Sequence, residues 1–150
     1  MKEFIRSLME ELLGVTTKWV YQEGPKPKKP FATLLLSSIG SRGMDEKRKA
    51  DGQVEVIGRR EAVLEVEYFG ADAVTALTQL DQKMLSDTIS DRCFKEGIIF
   101  FDSGEVMDIT ELLDTSKYEE RAMLEFRIRF SRSTVDQTGY FENVEIQDGL

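Results

Sequence analysis

The segment from Arg121 to Phe130 alternates between apolar and charged side chains more cleanly than any other part of the chain. Ala122, Leu124, Phe126, Ile128 and Phe130 fall on one side. Arg121, Glu125, Arg127 and Arg129 fall on the other, with Met123 the exception. Successive side chains of an extended backbone point to opposite faces, so this pattern predicts a half-buried strand. A strand of that kind needs a sheet beside it and a second layer over its apolar face.

Other segments supply both. Val54 to Phe69 reads as a long strand, bent near Gly58, with Ala62, Leu64, Val66 and Tyr68 opposite Glu61, Glu65 and Glu67. Phe31 to Ile39 is a strand apolar on both faces, so its own protein or a neighbour covers each side. Lys18 to Gln22 and Ile98 to Phe101 are shorter candidates, the latter bent at Asp102-Ser103-Gly104 and continued by Val106 to Ile109. Residues 3–13 repeat apolar residues at helical spacing (Ile5, Leu8, Met9, Leu12) and stop at Gly14. Gly70 to about Ser90 is a second helix, with Asp72 as N-cap and Ala73, Leu77, Leu80 and Met84 on one face. Thr110 to Asp114 reads as a turn or single helical turn, Gly40 to Gly52 as a long polar loop, and residues 139–150 as a tail. The expected architecture is a single α+β domain over 1–150. It has two layers: a mainly antiparallel sheet of four to five strands, with two helices packed on one face.

Composition removes much chemistry. The chain has 150 residues, no histidine and one cysteine, Cys93. No histidine-based catalytic relay, tetrahedral zinc site or internal disulfide can be built from that set. Acid pairs such as Asp108 with Glu111, or Glu119 with Glu120, lack the spacing of a calcium loop. The expectation is a protein without enzymatic activity or cofactor. The net charge of −8 is unlike that of a dedicated duplex-DNA binder. The longest apolar uncharged run, Pro30 to Ser41, is too short for a membrane-spanning helix, so no membrane partner is expected.

Three groups of residues are candidates for contact. Glu65 and Glu67 on one strand and Arg121, Arg127 and Arg129 on another either pair within one sheet or meet across a subunit boundary. Tyr140 and Phe141 in the tail are candidate interface anchors. Lys26, Lys28 and Lys29, in a segment holding all three prolines, are the third group, with Arg42, Lys47, Arg48 and Lys49 from the next loop. That proline segment is either a rigid turn or a ligand for an aromatic groove. About nine residues of strand, roughly 30 Å at 3.3 Å each, separate the two basic groups.

Several strings in order complete the picture: Gln22-x-Gly24-Pro25-x-Pro27, Gly58-x-Arg60-Glu61-Ala62, Leu112-Leu113-Asp114-Thr115-x-x-x-Glu119-x-Arg121-Ala122 and Thr138-Gly139-Tyr140-Phe141-x-x-Val144. Together they make the chain resemble the small neck or tail-terminator proteins of tailed bacteriophages, over nearly its whole length. The resemblance implies a structural virion protein that forms a homo-oligomeric ring, usually a hexamer, on the tail tube. Its implied partners are the tail tube protein, the head-tail connector or neck proteins and the sheath, with phage DNA passing unbound through the lumen. It also implies residence in the virion after assembly in the host cytoplasm. A different reading of the same residues is a non-enzymatic adaptor or assembly chaperone that binds its partner through Pro25–Pro30.

Overall fold

The alternating segment lies in the middle of the sheet. The computed structural model describes residues 1–41, 46–50, 53–114, 117–137 and 147–148. In chain order the elements are α1 (Lys2–Leu13), β1 (Thr16–Trp19), β2 (Phe31–Ser41), β3 (Glu46–Ala50), β4 (Gln53–Phe69), α2 (Ala73–Met84), α3 (Asp87–Lys95), β5 (Ile98–Ser103), β6 (Met107–Asp108), β7 (Glu111–Asp114), β8 (Lys117–Glu119), β9 (Arg121–Gln137) and β10 (Gln147–Asp148). β4 and β9, each 17 residues long, pair antiparallel from Gln53 opposite Gln137 to Phe69 opposite Arg121. Beyond β4 lie β2 against Arg60–Phe69 and β3 against Gln53–Ile57; β1 joins β2 in parallel. Beyond β9 lie β5, β6 and β10. The α+β architecture therefore holds, as an open mixed sheet in which β1–β2 is the parallel pair.

Four local expectations are corrected. The segment Gly40 to Gly52 is not one loop: β2 runs on to Ser41, and β3 pairs with the start of β4. Glu-Lys-Arg-Lys-Ala has no apolar face to give period two, so only the Asp51-Gly52 dipeptide between the strands marks a hairpin. The expected second helix is two, giving three helices in all, because Ser86 accepts a bond from Ile89 N–H (3.3 Å) and starts α3 afresh. Asp72 precedes α2 in a left-handed conformation and caps nothing with its side chain; its own N–H donates to Glu120 Oε2 at 2.9 Å. Glu111–Asp114 is a strand, β7, paired with β8, rather than a turn. Two shorter adjustments accompany these: β1 begins at Thr16 instead of Lys18, and β9 continues through the polar stretch to Gln137.

The core is the even-numbered face of β4 and β9. Ala62, Leu64 and Val66 with Ala122, Leu124, Phe126 and Ile128 lie under Ile5, Leu8 and Met9 of α1, Leu77 and Leu80 of α2, and Ile89 and Cys93 of α3. Leu12 packs against this cluster half-buried. Phe126 is 2% exposed and meets Phe100 edge to face, with ring centroids 5.5 Å apart.

One sheet edge is closed by side chains. In a parallel pair alternate residues turn their amides outward, and Val20 N–H bonding to Leu34 O leaves Thr17 and Trp19 facing away from β2. Thr17 N–H donates to Glu10 Oε1 (3.3 Å) and its carbonyl accepts from Arg6 (3.3 Å). Trp19 N–H donates to Gln22 Oε1 (3.4 Å) and its carbonyl accepts from Gln22 N–H (3.0 Å).

The proline segment docks at one end of the sheet. Lys29 Nζ lies 2.8 Å from Glu119 Oε1 and Lys26 Nζ 3.9 Å from it, while the Glu119 residue is 7% exposed. Pro30 packs on Gly70, where φ is +143° and an added Cβ would lie 2.9 Å from Pro30 Cβ, leaving no room for a side chain. Phe31 stacks on Phe69 with centroids 4.6 Å apart.

Two predictions follow from these contacts. Phe126→Ala should lower unfolding free energy by about 3–5 kcal/mol in urea titrations, whereas Glu125→Ala next to it should change it by less than about 0.5 kcal/mol. Lys29 hydrogen-bonding holds the Glu119 carboxyl below its ordinary 4.5, so their stabilisation is full above pH 4.5 and lost as pH falls through the lower folded value. Lys29→Met should thus be less stable than the parent by about 0.5–1 kcal/mol at pH 7, with the gap closing as pH falls below 4.5 and through the lowered Glu119 value. A gap that stays constant would separate the lysine's effect from the Glu119 charge.

Candidate functional site

The face of the sheet away from the helices gathers the charged candidates of both long strands. Register places Glu61 opposite Arg129, Val63 opposite Arg127, Glu65 opposite Glu125 and Glu67 opposite Met123. Arg121 reaches diagonally: one nitrogen lies 3.2 Å from Glu67 and another 2.8 Å from Glu111, with the guanidinium 4.7 Å above the Phe69 ring. The Arg121–Glu67 pair thus lies within one sheet. Glu65 has no such relief. It is half-buried, and its pKa is raised first by burial and then by the carboxylates of Glu67 and Glu125. Arg127 and Arg129 are exposed, and the Arg129 guanidinium stacks 3.9 Å over Phe101. The result is an acidic column beside a basic one, with Leu35, Val63 and Met123 half-buried between and beside them.

The basic candidates are not brought together. Lys26 and Lys29 sit on Glu119, and Lys28 is exposed on the same segment. Lys47, Arg48 and Lys49 belong to β3, where they oppose Val56, Glu55 and Val54. The continuous strand β2, 11 residues or about 36 Å long, lies between the two groups. Arg42, Tyr140, Phe141 and the tail stretches 138–146 and 149–150 lie outside the described residues.

An apolar trough along β5 escaped the sequence reading. A cavity of about 240 Å³ lies between α3 and β5, lined by Ser90, Phe94, Ile98 and Phe100 among others. It shares Ile99 with a cavity of about 530 Å³ that includes Arg59, Arg60 and Arg129. At the other end it shares Phe100 with one of about 220 Å³ beside Leu85, Phe101 and Asp102. Phe94 is 71% and Leu85 79% exposed. Neither disturbs a helical pattern, so only their failure to find a buried position marks them.

The acidic residues suggested as chemistry have other work. Asp108 accepts from the Thr110 hydroxyl (2.6 Å) and amide (3.0 Å), which lower its pKa. Glu111 is on Arg121, Glu119 on Lys29 and Glu120 on the Asp72 amide. Burial raises the Cys93 thiol pKa, so the thiol stays protonated and unreactive at neutral pH. Among the described residues no three His, Cys, Asp or Glu side chains gather as a metal would require, and no helix is long and apolar enough to cross a membrane.

The described residues thus combine a charged sheet face, an apolar β5 edge and carboxylates engaged by cations or amides. No curated protein matches the chain. A family described as phage neck terminator protein matches residues 1–149. Because that match runs from Met1, just before α1, past β10, it takes in the core, the open face and both sheet edges together. The chain belongs to the phage neck terminator protein family.

Proposed function

We propose that copies of this chain, six in number, form a ring that caps the tail tube, ends its polymerisation and joins the tail to the head through the neck or connector proteins. The observation that carries this reading is the family match over residues 1–149. A neck protein of this kind is structural, and its place is the virion. The physical features support it. The chain is acidic overall, at −8, so a lumen built from it would repel DNA and let it slide. The open face carries Glu65 among like charges, and a basic group from a tube or neck partner would relieve that repulsion. Lys28 and strand β3 stand at opposite ends of β2, so the two segments face different neighbours, tube on one side and connector on the other.

Light scattering on the purified chain should give a mass near six subunits, and a phage lacking the gene should make tails of irregular length without heads. Glu65→Arg, at a half-buried surface position, should leave the ring mass unchanged and reduce joining of purified tails to filled heads at least tenfold. Normal tail length in the deletion would overturn the capping role. Unimpaired joining by Glu65→Arg would remove the open face from the partner contact.

A further inference from the structure

We propose that copies of this chain associate head to tail, the Val20–Tyr21 pair at one sheet edge entering the trough along β5 of a second copy. The inference rests on the ring reading above and names the surfaces that would build it. β1 and β5 are the opposite edges of the core sheet, four strand spacings or about 19 Å apart. Each edge carries exposed apolar side chains: Val20 (55%) and Tyr21 (57%) after β1, Phe94 (71%) and Ile99 (47%) beside β5. Scattered apolar residues are ordinary on a surface, but grouped ones bordering a trough mark a contact.

The two surfaces are complementary in character, an aromatic anchor with an acid on one and an apolar trough with a basic group on the other. Tyr21 is held in place, stacked on the buried Trp19 ring at 5.9 Å with Lys2 Nζ 5.3 Å from its own ring centre. A pre-positioned aromatic is the kind of anchor that fills an interface pocket. The trough offers Phe94 and Phe100 on the helix side of β5, with Ile99 on the other side of the same edge strand. Glu23, exposed and two residues beyond Tyr21, supplies an acid next to the apolar pair. The adjoining cavity that shares Ile99 supplies the exposed Arg129 to receive it.

The closed hydrogen bonding of Thr17 and Trp19 means that β1 cannot add a strand, so this contact is made by side chains. Two different patches on one chain form a heterologous interface, which closes into a ring when the rotation permits; a self-matching patch would stop at a dimer.

The test uses two double variants of the full chain at exposed positions, Val20→Asp with Tyr21→Asp, and Phe94→Asp with Ile99→Asp. Serine versions replace either one if its melting temperature falls. Light scattering should give each variant alone the mass of one subunit. An equimolar mixture should give two subunits and nothing larger, because one sound patch of each kind remains. Glu23→Arg and Arg129→Glu should each lower the mass of the assembly, and together restore it. If the parent forms a ring and the double variants keep that mass, this interface is wrong while the ring stands. A mixture that remains at one subunit overturns the pairing as well. A parent of one subunit at every concentration overturns both this inference and the ring.

Discussion

The antiparallel ladder between β4 and β9 is the contact on which the rest of the structure depends. It pairs two 17-residue strands residue for residue, without a bulge from Gln53–Gln137 to Phe69–Arg121. A slip of one residue would exchange the faces, sending Leu64, Phe126 and Ile128 to solvent and Glu65, Arg127 and Arg129 under the helices. Burial of the apolar face and the cost of burying those charges therefore select the same register. The helices are amphipathic covers for a surface that the ladder has already defined, and β2 and β5 extend that surface to either side.

A second level of organisation sits at the end of the ladder, where Phe69 and Arg121 face each other. Arg121 gathers Glu67, Glu111 and the Phe69 ring; Glu119 holds Lys29; Glu120 holds the first turn of α2 through Asp72 and receives Gly70 N–H on its carbonyl. Individually, exposed pairs of this kind contribute a fraction of a kcal/mol. Here they connect chain segments that are remote in sequence: the proline segment, the end of β4, the start of α2 and the β7–β8 hairpin. They fix where the connections go, while the apolar layer supplies most of the stability.

The parts of this fold that could be read from the sequence are those where one residue's burial is correlated with its near neighbours. Leu124, Phe126 and Ile128, or Leu8, Leu77 and Leu80, repeat at the period of their element, and each was placed in the core from that period alone. β3 was not legible because Glu46–Ala50 lacks an apolar residue at alternate positions; its pairing shows only in backbone register. The break at Ser86 does carry a local signal that a single-helix reading overlooks: at about 100° per residue Ile89 falls about 140° from Met84, off the face that Leu80 and Met84 share. For the candidate site, the sharing of one face by Glu65, Glu67, Arg127 and Arg129 was foreseen from alternation, but the capture of Glu67 by Arg121 depended on register between strands remote in sequence. Lys26 and Lys29 read as contact candidates from sequence because their partner, Glu119, belongs to a distant strand. The trough along β5 has no local signature at all, since it is the space left between α3 and an edge strand.

The closed flank at β1 sets a rule for growth. Open sheet edges are where proteins recruit further strands without limit, and a chain destined for high local concentration in a particle is especially exposed to that route. With both outward N–H groups and both outward carbonyls of Thr17 and Trp19 occupied from within the same molecule, this flank offers nothing to template. Any sheet continued from the opposite side meets a dead end when it reaches a β1, so copies cannot fuse into an endless ribbon. The molecule carries in its own backbone a small version of a stop.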